Sequence, residues 1–273
     1  MTSEPPVPDI VKINRVYYDA DHPGRRDYWR WMAAPRARAR QVLAALGESA
    51  PLTVVDLGCG DGTLLRDIGR RFPGAARAGV DLAAARIAEN RRNDSTIDWL
   101  AFDLDGEVPV PAPWRGKFDA VVACEVIEHI ESPRRLLEHA RSLASPAARL
   151  ILTTQSGPVR ATERRVGHRR HFTAEEMRDL LASSGWRPER VWNAGFPFHD
   201  WSKRLANLFP AAALGFFGQG TYSLPQKAVC AVLRGLFGFN SNQRGAQLYA
   251  VAVNAPRGDR RGIAAGPRPI GNP

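Results

Sequence analysis

Short apolar runs alternate with amphipathic stretches along much of the chain, from residue 52 to residue 184. Each apolar run has the length and the branched residues of a buried strand, and most stretches between them have the apolar spacing of a helix. The predicted strands are 52–57, 75–81, 97–102, 118–124 and 149–154, and the predicted helices are 62–72, 83–92, 133–144 and 174–184. This order predicts an α/β domain with a mostly parallel sheet and helices on both faces.

The pattern changes after the last of these helices. An extended stretch is predicted at 187–193, and an alternating run at 247–254 is predicted to close the sheet as an edge strand. We expect one domain over residues 49–255, with a helical insertion over about 195–246. The insertion contains two predicted helices, near 200–208 and at 227–237.

The region before the sheet is rich in aromatic residues. A helix is predicted at 35–46, because Pro35 suits a first helical turn. Residues 10–48 are expected to form a helical lid over a substrate, since aromatic rings give a large contact area; alternatively, the rings only pack on the domain. The aromatic residues are Tyr17, Tyr18, Tyr28, Trp29 and Trp31. The proline-rich residues 1–9 and the tail at 256–273 are predicted to be disordered.

Composition narrows the class of protein. The 273 residues suffice for one large α/β domain with additions. No run of 18 uncharged apolar residues occurs, so no membrane span is expected, and the first ten residues lack the basic and apolar character of a secretory signal. Cys59, Cys124 and Cys230 have no metal-like spacing, which favours a reduced, cytoplasmic protein.

The net charge of +10 invites comparison with nucleic-acid-binding proteins. Only four of the 38 basic residues are lysines, however, and the arginines are spread along the chain rather than gathered in one segment. A charge excess of this kind is typical of a solvated surface. We therefore do not expect a nucleic acid partner.

A glycine-rich turn follows the first predicted strand, in the sequence VVDLGCGDG. Asp56 ends the strand, and Gly58, Gly60 and Gly62 follow at alternate positions. Glycines let a ligand lie against the backbone, and the helix start beyond them offers free N–H groups to an anionic group. The usual dinucleotide pattern would place its third glycine at position 63, which is Thr63.

Acidic residues also follow the next three predicted strands. Asp81 lies 25 residues after Asp56, where a carboxylate can accept hydrogen bonds from a ribose diol. Asp103 follows the third strand in the sequence FDL, and Glu125 follows the fourth in CEVIEHI. Because the carboxyl ends of parallel strands share one edge of a sheet, we expect these acids around one crevice.

Taken together, VVDLGCGDG, GVDL, FDL and FDAVVACEVIEHI resemble the class I S-adenosylmethionine (SAM) dependent methyltransferases, including ubiquinone-pathway and secondary-metabolite enzymes. The resemblance covers about residues 50–155. It implies a Rossmann-like fold, SAM as the cofactor and S-adenosylhomocysteine as the product. It also implies which residues bind the cofactor: Asp56, Gly58, Gly60 and Asp61 at its methionine end, Asp81 with Leu82 at the ribose, Asp103 with Leu104 at the adenine, and Glu125.

The resemblance implies methyl transfer to a nitrogen, oxygen or carbon atom of a small molecule, in secondary-metabolite or glycan biosynthesis. Two alternatives remain open. One is an RNA or protein methyltransferase, and the other is a protein that binds SAM without methylating anything.

Three histidines are candidates for the acceptor chemistry. His129 is expected on one helical turn with Glu125 and Glu128. His168 and His171 precede a helix that Thr173 begins, and the phrase that they form with Phe172 and Thr173 resembles one in small-molecule methyltransferases. Histidine titrates near neutral pH and can take a proton. We therefore expect His129, His168 and His171 to be catalytic; alternatively, they only order the pocket, and Thr173 with Glu176 forms a structural capping box.

The sequence E-x-x-E-H also resembles the small-RNA 2′-O-methyltransferases, in which two glutamates and two histidines bind a divalent metal. Here those residues would be Glu125, Glu128, His129 and either His168 or His171. The rest of that pattern is not evident, and E-h-x-E-H is also common in metal-independent relatives. We therefore expect no metal.

The insertion carries further candidates for substrate binding. Phe198 and Trp201, together with Tyr17 and Tyr18 of the lid, are expected to contact the acceptor. Alternatively, the insertion packs on the core, forms a homodimer surface or contacts lipid.

Overall fold

The computed structural model describes residues 25–217 and 221–254. The predicted disordered ends at 1–9 and 256–273, and the predicted substrate contacts Tyr17 and Tyr18, lie outside the described residues. The strands are β1 (Thr53–Leu57), β2 (Ala76–Asp81), β3 (Ile97–Ala101), β4 (Phe118–Cys124), β5 (Ala144–Gln155), β6 (Trp186–Ala194) and β7 (Gln247–Asn254).

The sheet region and its N-terminal side contain α1 (Arg25–Trp31), α2 (Ala33–Gly47), α3 (Thr63–Arg71), α4 (Ala84–Asn93), α5 (Pro133–Leu143), α6 (Ala161–Arg165) and α7 (Ala174–Ser183). Helices α2, α3, α4, α5 and α7 lie close to predicted bounds, whereas α1 and α6 were not predicted. The insertion folds into α8 (Phe198–Leu208), α9 (Pro210–Phe217) and α10 (Leu224–Phe237). The capping box of Thr173 and Glu176 is present at the start of α7.

The seven strands form one sheet in the order β3-β2-β1-β4-β5-β7-β6. Strands β1 to β5 run parallel, and β7 runs antiparallel to both β5 and β6. The predicted α/β fold class is therefore confirmed. The prediction that 247–254 forms an edge strand is wrong, because β7 lies between two other strands.

The composition of β6 and β7 explains why β7 lies inside the sheet and β6 at its edge. The first six residues of β7 are buried, so this strand is covered on both faces. Strand β6 instead carries Pro188 and several charged residues, and its pairing with β7 is irregular between Pro188 and Arg190. Proline and charge suit an edge strand, since proline cannot donate a ladder hydrogen bond.

Alternate residues of the central strands face two separate cores. Val54 of β1 packs with residues of α2, α3 and α4, whereas Val55 packs with residues of α5 and α7. This follows from the two-residue period of a strand, which sends successive side chains to opposite faces. The sheet is thus covered on both faces, and the carboxyl ends of β1 to β5 remain at its open edge.

The N-terminal helices and the insertion pack on each other. Tyr222 donates its backbone N–H to Asp27 at 2.7 Å, and the Sγ atom of Cys230 lies 3.7 Å from the Sδ atom of Met32. The Nζ atom of Lys227 lies 5.3 Å from the centre of the Trp31 ring. The two regions form one helical layer beside the open edge of the sheet, and the predicted domain boundaries stay a prediction. In the described part of the chain, no helix has the length and apolar character needed to cross a membrane.

Candidate active site

The turn after β1 depends on its glycines in two different ways. Gly58, Gly60 and Gly62 have φ angles of 70°, 52° and 73°, a region that favours glycine. A Cβ atom on Gly58 would lie 2.4 Å from the Val126 side chain, and one on Gly62 would lie 2.5 Å from the Trp99 ring. A Cβ atom on Gly60 would meet nothing within 4 Å. Gly58 and Gly62 therefore permit close packing, whereas Gly60 keeps space open.

Asp81 holds this turn against the end of β2. One of its carboxylate oxygens accepts the N–H of Gly60 at 2.8 Å, and the other accepts the N–H of Ala83 at 3.0 Å. The amide of Asn90 donates to the carbonyl oxygen of Gly60 at 2.8 Å. Both peptide groups beside Gly60 are thus fixed by side chains from β2 and α4.

A cavity of about 790 Å³ opens at the carboxyl ends of the parallel strands. This is the place where ligands bind in sheets of this kind. Eight of the predicted cofactor-binding residues line it: Gly58, Gly60, Asp61, Asp81, Leu82, Asp103, Leu104 and Glu125. The structure therefore brings together the acids that follow successive strands.

Asp56, the remaining predicted cofactor residue, is not part of the cavity lining. Its side chain is buried, and its Oδ1 atom has no hydrogen-bond partner. Burial, and then the negative charge of Asp81, raise the pKa of the Asp56 carboxyl well above its ordinary value. The expected role of Asp56 at the methionine end of SAM stays a prediction.

Asp105 was missed in the sequence, yet it holds the far wall of the cavity. Its carboxylate accepts the backbone N–H groups of Glu131 at 2.7 Å and Ser132 at 2.9 Å. Asp103 in turn accepts the N–H of Asp105 at 2.9 Å. The loop after β3 is thereby tied to the loop before α5, and both line the cavity.

Glu125 has a conformation that excludes the predicted helical turn. Its φ angle is 55°, whereas a helix needs about −60°. Residues 125–130 form an irregular turn, in which the N–H of His129 donates to the carbonyl oxygen of Val126 at 2.9 Å. The prediction that Glu125 and His129 share one helical face is therefore wrong.

The Glu125 carboxylate lies in a dense set of donors. Its Oε1 atom accepts from Gln247 at 2.8 Å and from Thr153 at 3.1 Å, and its Oε2 atom accepts from Gln155 at 2.5 Å. A guanidinium nitrogen of Arg38 lies 3.7 Å from Oε2. Burial acts to raise the pKa of Glu125, but the Arg38 charge and the amide donors outweigh it and lower this pKa. The carboxylate is therefore ionised and satisfied.

Arg38 is the second residue that the sequence did not single out. It belongs to α2, its side chain is 9% exposed, and it lines the cavity next to Glu125. An arginine on the buried face of an amphipathic helix is the signal that could have identified it. Arg38 joins the N-terminal helices directly to the end of β4.

Two of the three candidate histidines are hydrogen-bonded to each other, and the ring of the third, His129, packs against His168 with the ring centres 4.7 Å apart. The Nδ1 atom of His129 lies 3.1 Å from the carbonyl oxygen of Gly167. The Nδ1 atom of His168 lies 3.0 Å from Nε2 of His171, whose own Nδ1 lies 3.0 Å from the carbonyl oxygen of Gly157. His129 and His168 line the cavity, and His171 lies behind them.

Burial keeps these histidines neutral. It lowers the pKa of His129 to about 4 and, with the nearby His129, lowers the pKa of His168 to about 2. Burial also lowers the pKa of His171. Neutral rings offer one nitrogen lone pair each, so the cavity wall presents lone pairs rather than positive charge.

Glu128 lies beside His129 and His168 and is fully buried. Its Oε2 atom accepts the hydroxyl of Thr154 at 2.8 Å, whereas Oε1 has no hydrogen-bond partner. Burial, followed by the negative charge of Glu125, raises the pKa of Glu128 well above its ordinary value. The surroundings of the two glutamates of CEVIEHI thus shift their pKa values in opposite directions.

Helix α8 faces the cavity with a different set of residues from the predicted one. His199, Lys203 and Ala206 line the cavity, and their spacing places them on one helical face. The Nζ atom of Lys203 lies 2.6 Å from Gln155 and 2.8 Å from Glu163. Phe198 and Trp201 lie outside the lining, and Trp201 is 53% exposed. Their predicted role in substrate binding stays untested.

Aromatic residues from the helical layer cover the same part of the cavity. Tyr28 and Trp29 of α1 and Phe217 of α9 line it together with Met32. Two aromatic residues that the sequence placed in a lid are therefore at the cavity. The apolar helical layer thus faces the polar residues of the strand ends across one space.

Sequence comparisons relate the chain to known proteins. A sequence model of the family described as a methyltransferase domain matches residues 28–191. The chain is 34% identical over 102 residues to an uncharacterised methyltransferase of Mycobacterium tuberculosis, covering 37% of this chain and 49% of the relative. It is 30% identical over 140 residues to the ubiquinone biosynthesis O-methyltransferase of Xanthomonas axonopodis pv. citri, covering 50% of this chain and 55% of the relative. The chain therefore spans about half the length of the curated relatives it matches.

A solved structure shares the fold over nearly the whole chain. The 1,6-didemethyltoxoflavin-N1-methyltransferase of Burkholderia thailandensis aligns with a TM-score of 0.57, over 94% of this chain and 93% of its own, at 15% identity. That structure holds 1,6-didemethyltoxoflavin and S-adenosylhomocysteine. At this identity the likeness shows the fold alone, and it agrees with the predicted Rossmann-like arrangement.

Proposed function

The chain belongs to the methyltransferase domain family, and on that basis we propose that it transfers a methyl group from SAM to a small-molecule acceptor. The observation that carries the proposal is the turn at Gly60, held by Asp81, in a cavity that also contains the neutral His129 and His168. SAM is the cofactor that the family membership supports.

The donor is proposed to lie along the strand ends. Open space at Gly60 admits the methionine end, the carboxylate of Asp81 binds the ribose diol, and Asp103 with Leu104 binds the adenine. Asp61, Leu82 and Glu125 complete the proposed contacts, and Asp56 acts from beneath the turn. This arrangement directs the methyl group toward the remaining part of the cavity, which the histidines and the helical layer form.

The acceptor is proposed to be small because the cavity is enclosed by helices. A volume of about 790 Å³ lies within the range of small-molecule and cofactor sites. The lining mixes Tyr28, Trp29 and Phe217 with the polar His199 and Lys203. Such a surface suits a molecule that is partly apolar and carries polar groups, whereas a polynucleotide would need an extended basic groove.

Methyl transfer is an in-line displacement, so much of the rate comes from holding the acceptor atom in line with the methyl group. His129 and His168 are the proposed acceptor-activating residues, because both neutral rings line the cavity. His171 is a positioning residue, since it touches His168 rather than the cavity.

The predicted lid role of residues 10–48, a homodimer and a cytoplasmic location are retained as proposals that rest on the sequence alone.

The test measures release of S-adenosylhomocysteine from the full chain with panels of phenols, amines, RNA and proteins. We expect turnover with at least one small molecule, and we expect His129→Ala and His168→Ala to lower turnover at least about 10-fold while SAM affinity stays within about twofold. Turnover with RNA alone would replace the proposed acceptor class. Tight SAM binding without product release from any panel would support a SAM-binding protein instead.

The acceptor class has a second, independent readout. RNA binding that falls steeply with rising salt concentration would favour the polynucleotide alternative, because released counterions drive such binding. We expect no salt-dependent RNA binding beyond that of a basic control protein of similar net charge.

A further inference from the structure

Glu128, His129 and His168 bring three metal-binding groups to one point of the cavity wall. One carboxylate oxygen and one ring nitrogen from each histidine lie within 4.8 Å of one another. Among residues 25–217 and 221–254, no other set of three histidine, cysteine or acidic side chains comes together in this way.

The hydrogen bonds of the histidines determine where their lone pairs lie. A carbonyl oxygen can only accept, so the Nδ1 atoms of His129 and His171 carry protons that they donate to Gly167 and Gly157. The Nε2 atom of His171 must then accept from Nδ1 of His168. In both His129 and His168, the lone pair is therefore on Nε2.

Metal-binding histidines commonly show this arrangement. A ligand histidine donates its other ring N–H to a carbonyl or a similar acceptor, which fixes the tautomer and the orientation of the ring. His129 does so through Gly167, and His168 does so through His171. His171 would thus support the site without binding the ion.

Glu128 supplies an observation of a different kind. Its side chain is fully buried, and its Oε1 atom has no hydrogen-bond partner. An unsatisfied buried oxygen destabilises the fold, and a bound cation would give this oxygen a partner. Glu125, by contrast, is already satisfied by Thr153, Gln155, Gln247 and Arg38, so it does not join the group.

We propose that Glu128, His129 and His168 bind one divalent ion of the Zn²⁺, Co²⁺ or Fe²⁺ type, at a position open to the cavity. Two imidazoles and one carboxylate are a ligand set that these ions prefer, whereas Mg²⁺ prefers oxygen ligands and water. Bonds of about 2 Å place neighbouring ligand atoms about 3 Å apart, so the ion would draw the three side chains slightly together. This three-residue site differs from the sequence-based expectation that no metal binds, and it lacks the Glu125 of the four-residue set that E-x-x-E-H suggested.

The role of the ion rests on the proposed function and narrows the acceptor to a hydroxyl group. A hydroxyl oxygen bound to such an ion loses its proton more easily, and the proton passes to solvent water. The oxygen then forms a bond to the methyl carbon while the carbon–sulfur bond breaks. Sulfur keeps the electron pair, and the products are a methyl ether and S-adenosylhomocysteine.

The test is a calorimetric titration of the full, tag-free, chelator-treated chain with Zn²⁺. We expect one ion per chain with a Kd below about 10 µM, and much weaker binding of Mg²⁺. The variants Glu128→Gln and His168→Ala should each weaken binding at least about 10-fold, and His171→Ala should weaken it about 10-fold or more through the loss of its support. Bound Co²⁺ should show visible bands without a thiolate charge-transfer band, because no cysteine belongs to the site.

The matched control is His139→Ala, which removes a buried histidine that hydrogen-bonds to Gly106 outside the group. It should bind Zn²⁺ like the original chain, and thermal unfolding with SAM binding checks the fold of each variant. Failure of the original chain to bind Zn²⁺ or Co²⁺ at about 1 mM, or equal binding by Glu128→Gln and His168→Ala, would overturn the site. Metal binding without any methyl transfer would leave the site standing and remove the proposed function.

Discussion

The proposed donor end of the cavity, formed by Gly58, Gly60, Asp81 and Asp103, takes its residues from the carboxyl ends of consecutive strands and the turns that follow them. The proposed acceptor end instead combines α1, the turn after β4, the loop that contains His168, α8 and α9, which are distant in the sequence. The donor end is held by backbone N–H groups and glycine conformations. The acceptor end is held by packing between side chains of separate helices.

The fold fixes the position of the proposed donor end, whereas the residues of the proposed acceptor end can vary. A turn that follows a buried strand has a position set by the sheet, so its ligand contacts depend on few residues. A wall built from several helices can change one residue at a time without disturbing the sheet. We infer that methyl-donor binding and acceptor binding can be impaired independently.

The largest effect is expected where the two ends meet, at Arg38 and Glu125. The variant Arg38→Met should lower the free energy of unfolding by about 3 kcal/mol, because it leaves a buried carboxylate without its cation. Denaturant unfolding at neutral pH measures this loss. The variant Arg38→Met with Glu125→Gln should recover part of it, and equal losses in the single and double variants would contradict the coupling.

The same pair has a defined pH dependence. The pKa of Glu125 is lowered in the folded chain, so its contribution is present above the ordinary value of 4.5 and is lost as the pH falls from there toward the lowered pKa. Without Arg38 the pKa of Glu125 rises, and this contribution should already be lost at a higher pH. A pH series of unfolding curves for Arg38→Met that matches the original chain would exclude this assignment.

A second, smaller effect is expected from a substitution at Gly60, which changes only the proposed donor end. Gly60→Ala should lower SAM affinity at least about 30-fold, or about 2 kcal/mol, because its methyl group enters the space beside the turn. Gly116→Ala is the control, since Gly116 also has a positive φ angle, 65°, and a Cβ atom there would meet nothing within 4 Å. Both variants should lose about 1 kcal/mol of stability, while only Gly60→Ala should lose SAM affinity in calorimetry. Equal SAM affinities would show that Gly60 does not adjoin the cofactor.

The smallest effect concerns α8 and α9 at the acceptor end. Phe217→Ala should raise the KM for the acceptor several-fold, because Phe217 lines the cavity. Trp201→Ala should change KM by less than about twofold, since Trp201 is 53% exposed and lies outside the lining. Steady-state kinetics with one acceptor compare the two variants. A larger effect at Trp201 would restore its predicted role in substrate binding.

The same division explains how far the sequence predicts the molecule. Strands β1 to β4 and the residues that follow them were predictable because apolar runs, glycines and acids are local signals. The position of β7 was predicted wrongly, since alternation alone does not show which strands lie on either side. Strand β6, with Pro188 at an irregular pairing, carried the better edge signal.

The acceptor end was less predictable because its signals are not local. His129, His168 and His171 were found by residue type, but the direction of their hydrogen bonds depends on the carbonyl oxygens of Gly157 and Gly167. Arg38 lies on the buried face of an amphipathic helix, but the sequence does not show that it meets Glu125, and the contacts of Lys203 with Gln155 and Glu163 likewise form only in three dimensions. The left-handed Glu125 has no sequence signal, since that conformation is unusual for glutamate.

The most direct test of the proposed donor site is a calorimetric titration of SAM into Asp81→Ala, with His168→Ala measured beside it. Asp81 accepts the N–H groups of Gly60 and Ala83 and is the proposed ribose acceptor, so its loss should weaken SAM binding at least about 30-fold. His168→Ala should bind SAM within about twofold of the original chain while losing methyl transfer. Unchanged SAM affinity in Asp81→Ala would contradict the proposed donor site.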